Sequence, residues 1–134
     1  MDRLLDTAVA GPFYLRQSVI AKLMVSALQQ GQTHFHRYQL HAFGVMPNHV
    51  HMLVTPHVVS TRWLGPLKGF TAREANQILG IESRPFWQDE SYDHLVRSSD
   101  EFAQIRRYIE GNPVKAGLAQ SPDQFRRSSA AEAA

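Results

Sequence analysis

The segment "GVMPNHVHMLV", residues 44–54, carries two histidines separated by a single valine in an otherwise apolar run. In an extended strand successive side chains point to opposite faces. His49 and His51 therefore share one face while Val50 and Met52 take the other. Their Cβ atoms should stand on the order of 7 Å apart, because a strand rises about 3.3 Å per residue. Two imidazoles at that separation can converge on one divalent cation. A His-x-His pair in a strand is more often surface decoration or hydrogen-bonded packing, so a metal site needs further donors from elsewhere in the chain.

Working outward, residues 35–45 read as a second strand, and Met46-Pro47-Asn48 is the turn that makes a hairpin with 49–55. Upstream, "RQSVIAKLMVSALQQ" (16–30) spaces Val19, Ile20, Leu23, Met24 and Leu28 as a helix, with Gly31 as a stop. Downstream, a helix is expected from Ser60 to Leu79 with an apolar stripe of Leu67, Phe70, Ala75 and Ile78, ending at Gly80. Gly65-Pro66 should kink or restart it, since proline lacks a backbone donor. Residues 85–98 read as a loop and a short strand. Ser99 or Asp100 can cap a last helix that Pro113 should stop. Helix, strand, strand, helix, strand, helix implies an α+β fold, an antiparallel sheet with helices packed on one face.

The chain has 134 residues, 43% hydrophobic and 19% charged, which fits one ordinary globular domain, 1–134. Residues 1–13 and 122–134 should be loose at its ends. Without cysteine there are no disulfides, thiol nucleophiles or cysteine-bound zinc. No apolar run approaches the roughly 20 residues that span a bilayer, and the first residues do not read as a secretory signal, so a cytoplasmic protein without a membrane partner is expected. The net charge of +2 is mild. Its distribution says more: Arg97, Arg106, Arg107, Lys115, Arg126 and Arg127 crowd the last third, and can form a basic face or merely a solvated surface.

Candidate partners for the histidines lie in the last helix. Tyr108 and Asn112 are i and i+4, hence neighbours on one helical face. Phe102, Ile105 and Ile109 form the buried stripe, with Tyr108 and Asn112 along its border. Singly, each has a bland explanation, an amphipathic tyrosine and a helix C-terminal asparagine before proline.

Four blocks, "MPNHVHMLV", "LKGFTAREANQILG", "PFWQDESYDHLVR" and "YIEGNPVKAGL", occur in an order that resembles the single-tyrosine transposases with a His-hydrophobe-His (HUH) motif. Within them, the sequence is similar to the REP-associated tyrosine transposases of bacteria. The likeness covers residues 16–118. It implies a ferredoxin-like sheet and an enzyme that cuts and rejoins single-stranded DNA. A tyrosine hydroxyl attacks the scissile phosphate, forming a 5′-phosphotyrosine and freeing a 3′-hydroxyl. Carried onto this sequence, Tyr108 matches the nucleophile, His49 and His51 the metal pair, and Asn112 the third ligand.

The residue types suit that chemistry. A cation must neutralise and align an anionic phosphodiester, and imidazoles with an amide oxygen suit Mg²⁺ or Mn²⁺ better than structural zinc. A phenol is a weak nucleophile near neutral pH until a cation or base assists it. The resemblance further implies DNA contacts from Lys68, Arg97, Arg106, Arg107 and Lys115. The partner would be hairpin-bearing, REP-like single-stranded DNA in the bacterial nucleoid, bound by a monomer or a homodimer.

Trp87 could stack on a base, although core packing with Phe86 is the commoner role. His94 could border the site or be hydrogen-bonded structure, and His34, His36, His41 and His57 read as structural. Relatives open with an aromatic-rich strand that residues 1–15 do not resemble, so the sheet is expected to lack one strand. That absence admits a second reading, a decayed or domesticated module that holds DNA hairpins without cutting. A third is a hydrolase of small phosphoesters, for which Tyr108 would be dispensable.

Overall fold

The computed structural model describes residues 2–9, 14–81, 85–122, 125 and 127–132. The chain runs β1 (Arg3–Val9), a 3-10 turn (Tyr14–Arg16), α1 (Ser18–Thr33), β2 (Tyr38–Val45), β3 (His49–Pro56), α2 (Ser60–Leu79), β4 (Trp87–Leu95), α3 (Ser99–Lys115) and a short α4 (Ser129–Glu132). The strands form one antiparallel sheet in the order β2-β3-β1-β4. With α1 and α2 between them they make the βαββαβ unit of ferredoxin-like domains.

The expected missing strand is present. Far from being loose, residues 3–9 are the centre of the sheet, with β1 paired to β3 on one side and to β4 on the other. A strand buried on both faces usually reads as a continuous apolar run. In "RLLDTAV" the run is broken by Asp6, which stands directly opposite His51. That carboxylate concealed the strand from a pattern-based reading.

A second correction concerns the helices, which cover both faces. On one, α1 and α2 enclose the main core, where Leu5, Met24, Phe43, Val50, Met52, Val54 and Trp63 are buried. On the other, Ile109 of α3 packs against Ala42 and Leu53, with Leu4, Phe102 and Ile105 around them. Burying an isoleucine is worth roughly 1.5–3 kcal/mol, enough to seat α3 on the sheet. Stripe, sheet and helix agree here: Ile109 is fully buried and its neighbour Tyr108 is exposed.

The expected helix stops also shift. Gly31 lies inside α1, not at its end; a Cβ there would stand 2.1 Å from the Tyr38 hydroxyl. That hydroxyl donates to the Leu28 carbonyl at 2.6 Å, so glycine permits a close approach of β2 to α1. Pro66 is accommodated within a single α2, and Pro113 sits in the last turn of α3. The chain leaves α3 only at Gly117 (φ 76), where Leu118 N–H bonds to Pro113 O and Gly117 N–H to Val114 O. This is a Schellman turn. At its start, Ser98, one residue before the expected caps, accepts from Glu101 N–H at 3.1 Å.

Part of the C-terminal segment is also seated rather than loose. Val45 N–H donates to Arg127 O, Ser128 bridges Gly44, and the Ser129 hydroxyl accepts from Phe43 N–H and donates to Glu110. These contacts cover part of the β2 edge, which would otherwise offer unpaired backbone groups. Phe86 is buried and stacked on Tyr14, and Trp87 donates its indole N–H to Thr71, so both belong to packing.

Candidate active site

Alternation along the strands sets one row of side chains across the α3 face. Cα register aligns Gly44 of β2 with His51 of β3, His51 with Asp6 of β1, and Asp6 with Tyr92 of β4. His49, two residues before His51, shares that face. Asp6, His49 and His51 each bring a donor atom to within 4.8 Å of the other two.

His51 is fully buried, and neither ring nitrogen has a hydrogen-bond partner. Burial, and secondarily the neighbouring His49, pushes its pKa down to about 3, so the ring is neutral and keeps a lone pair at ordinary pH. Leaving a buried polar group unsatisfied costs about 1–3 kcal/mol, and so large a cost points to a ligand. The room for this ring comes from Gly44, where a Cβ would lie 2.6 Å from the His51 Nε2. His49 is fixed from its own turn: Asn48 Oδ1 lies 2.8 Å from Nδ1 and, as an amide oxygen, accepts its proton. Burial raises the pKa of Asp6, and the charge of His49 opposes the rise. A buried neutral imidazole, a second imidazole beside it and a half-buried carboxylate are a donor set that fits a divalent cation.

Tyr108 faces this cluster from α3, its ring centroid 5.9 Å from that of His51 at an interplanar angle of 68°. Half exposed, it is reachable by a large substrate. Asn112 lies one turn further along α3 and is partly buried; its carbonyl accepts from Ala116 N–H. The sequence-expected pair of histidines and the tyrosine are therefore brought together. Asp6 was missed, although it is the acid within the short apolar run of β1.

The expected DNA-contacting residues fare unevenly. Arg97, Arg107 and Lys115 are exposed before, in and at the end of α3, and Arg106 is exposed and paired with Glu110 at 3.4 Å. Lys68 is not brought to the site. Its ammonium donates to Gln88 O and Ser91 Oγ, tying α2 to β4 on the opposite face. Arg126 lies outside the described residues. His94 is hydrogen-bonded to Glu101 at 2.9 Å, and that bond is the main reason the Glu101 carboxyl is held below the usual range. Tyr92 stacks on the His94 ring.

The molecule is thus a ferredoxin-like domain that adds a tyrosine-bearing helix over a histidine–carboxylate cluster. The model of the IS200-like transposases matches residues 14–112, and the chain belongs to that transposase family. The fold is similar to that of a REP-associated tyrosine transposase whose structure was solved bound to a REP hairpin. That match has a TM-score of 0.71 and 17% identity over 98% of this chain and 77% of the other. A protein of Deinococcus radiodurans described as a candidate transposase is similar with a TM-score of 0.59 and 25% identity, over 83% of this chain and 89% of that one. No curated protein matches the chain. Among the described residues, no helix is long and apolar enough to cross a membrane.

Proposed function

We propose that this transposase is a metal-dependent, single-tyrosine endonuclease and strand transferase acting on hairpin-bearing single-stranded DNA. The observation that carries the proposal is the approach of the Tyr108 ring to the Asp6–His49–His51 cluster within one chain. The two imidazoles and the Asp6 carboxylate would hold Mg²⁺ or Mn²⁺, and Asn112 would offer a further amide oxygen from α3. The cation supplies charge neutralisation and alignment of the scissile phosphate. The Tyr108 oxygen attacks phosphorus, forming a phosphotyrosine on the 5′ side. The bond to the 3′ oxygen breaks, the phenolic proton passes to solvent, and the leaving oxygen takes a proton from solvent to become a hydroxyl. Because the phosphotyrosine conserves the energy of the broken linkage, a DNA hydroxyl can reverse the step and join strands without ATP. The proximity of Tyr108 and His51 within one chain supports cleavage in cis by a monomer. The exposed Arg97, Arg107 and Lys115 would add salt-dependent affinity for phosphates.

The decayed-module reading drew its support from a missing first strand, and that strand is present. Incubation with a labelled hairpin oligonucleotide and Mn²⁺ is the test. A covalent protein–DNA adduct is expected from the wild type, with at least a 1,000-fold loss, on the order expected when a nucleophile is removed, in Tyr108→Phe. Tight binding without an adduct would restore the module. Cleavage that survives Tyr108→Phe would point to a phosphoesterase.

A further inference from the structure

The row Gly44–His51–Asp6 continues onto β4, where it ends in a residue with no part in the chemistry above. Tyr92 is paired in register with Asp6 and is 58% exposed, more so than any other described phenylalanine, tyrosine or tryptophan. Its ring is near-parallel to that of His94, 5° between planes and 6.1 Å between centroids. Neither ring belongs to a hydrophobic core cluster. The His94 ring is itself anchored, since Nε2 meets Glu101 Oε1 at 2.9 Å. Glu101 in turn is fixed by the Ser98 cap and by Arg97 N–H, which donates to the same carboxylate oxygen. Tyrosine is also common in strands simply for its β propensity. Here the first turn of α3 anchors the partly buried His94 ring, and the Tyr92 ring stacked on it stands exposed, next to a carboxylate of the cluster.

Resting on the transposase reading above, we propose that Tyr92 and His94 form a stacking platform for one unpaired base of the DNA strand. A base laid on the Tyr92 ring extends the stack. Directly opposite residues on paired strands have Cβ atoms about 4.5–5.5 Å apart, so the nucleotide held there adjoins the phosphate held beside Asp6. The platform therefore sets which linkage along the strand meets Tyr108. Arg97, exposed at the same end of α3, is placed to meet the neighbouring phosphate. Stacking reads the face of a base, so the platform fixes register while tolerating sequence.

The test is fluorescence anisotropy with two hairpin oligonucleotides, one blunt and one bearing a single-stranded flank, measured without added metal. Tyr92→Ala should weaken binding of the flanked oligonucleotide by about tenfold or more, the usual effect of removing one base–aromatic stack. Tyr92→Phe should bind within twofold of the wild type, and the blunt hairpin should be indifferent to both. An abasic site at one flank position should weaken the wild type to the level of Tyr92→Ala and erase the difference between them. Unchanged Mn²⁺ affinity and melting temperature in Tyr92→Ala would exclude a general structural effect. Equal binding of the flanked strand by wild type and Tyr92→Ala overturns the platform alone. So does an abasic series in which no position is singled out. A phosphotyrosine that persists in Tyr108→Phe and vanishes in Tyr92→Phe would overturn it in favour of a second nucleophile. A wild type that binds neither oligonucleotide overturns the transposase reading and the platform with it.

Discussion

The two faces of the sheet are made by the same four strands and obey different rules. Toward α1 and α2 the strands present Leu5, Phe43, Val50, Met52 and Val54, and the polar side chains enclosed there include Tyr38, bonded to Leu28 O, Trp63, bonded to Val58 O, and Thr71, bonded to Leu67 O. Toward α3 the same strands present Asp6, His49, His51 and Tyr92, and the most buried of these has no hydrogen-bond partner at either ring nitrogen. One face spends its residues on stability. The other tolerates an unsatisfied imidazole and a carboxylate of raised pKa, the compromise expected where a binding site overrides packing.

Substitutions on the two faces should therefore act in opposite ways. The largest stability effect belongs to the apolar face. Trp63→Ala empties a fully enclosed site against Tyr38 and leaves Val58 O without its donor. Urea denaturation should register a loss of about 3–5 kcal/mol, while adduct formation per folded molecule persists. Next comes Gly44→Ala, whose new methyl would collide with the His51 ring. Titration calorimetry should show Mn²⁺ affinity reduced roughly 10–100-fold, as when the support of a metal-ligating histidine is disturbed. An affinity equal to the wild type would mean that the row does not hold the cation.

The most gradual effect is a slope with pH, small for each step of pH. In the presence of chelator, native His51 stays neutral down to about pH 3, whereas an unfolded histidine takes up a proton near 6.5. Between these values the unfolded state holds the extra proton. The stability this ring contributes is fully present above pH 6.5 and should fall by about 1.4 kcal/mol for each unit below it. His51→Leu should abolish that slope, seen as the difference between two denaturation series. It should also leave the chelated protein at least as stable as the wild type, since an apolar side chain has no unmet hydrogen bonds. A destabilised His51→Leu would erase the contrast between the faces.

What could be read from the sequence follows the same division. The hairpin around His49 and His51, the bounds of α2 and the border position of Tyr108 were legible because an apolar period ran through each of them. β1 was not legible, because Asp6 interrupts its run for the sake of the site. The placement of α3 on the far face was hidden as well. Periodicity identifies a buried stripe but not which side of a sheet receives it. Gly31 and Pro113 misled as stop signs: the first makes room for Tyr38, and the second sits where only the final turn is left. Of the cluster, the two histidines were visible as a motif, whereas Asp6 becomes a neighbour only through the pairing of β1 with β3.

That pairing bears on how the polypeptide assembles. β1 is translated before its hydrogen-bonding partners, β3, which begins at His49, and β4, which ends at Leu95. Until β4 has left the ribosome, the segment that will bridge the two halves of the sheet must wait with a backbone edge unmatched. Long-separation contacts of this kind slow folding and lengthen exposure to aggregation. Deleting residues 3–9 would remove the seam between the halves together with the carboxylate of the histidine cluster.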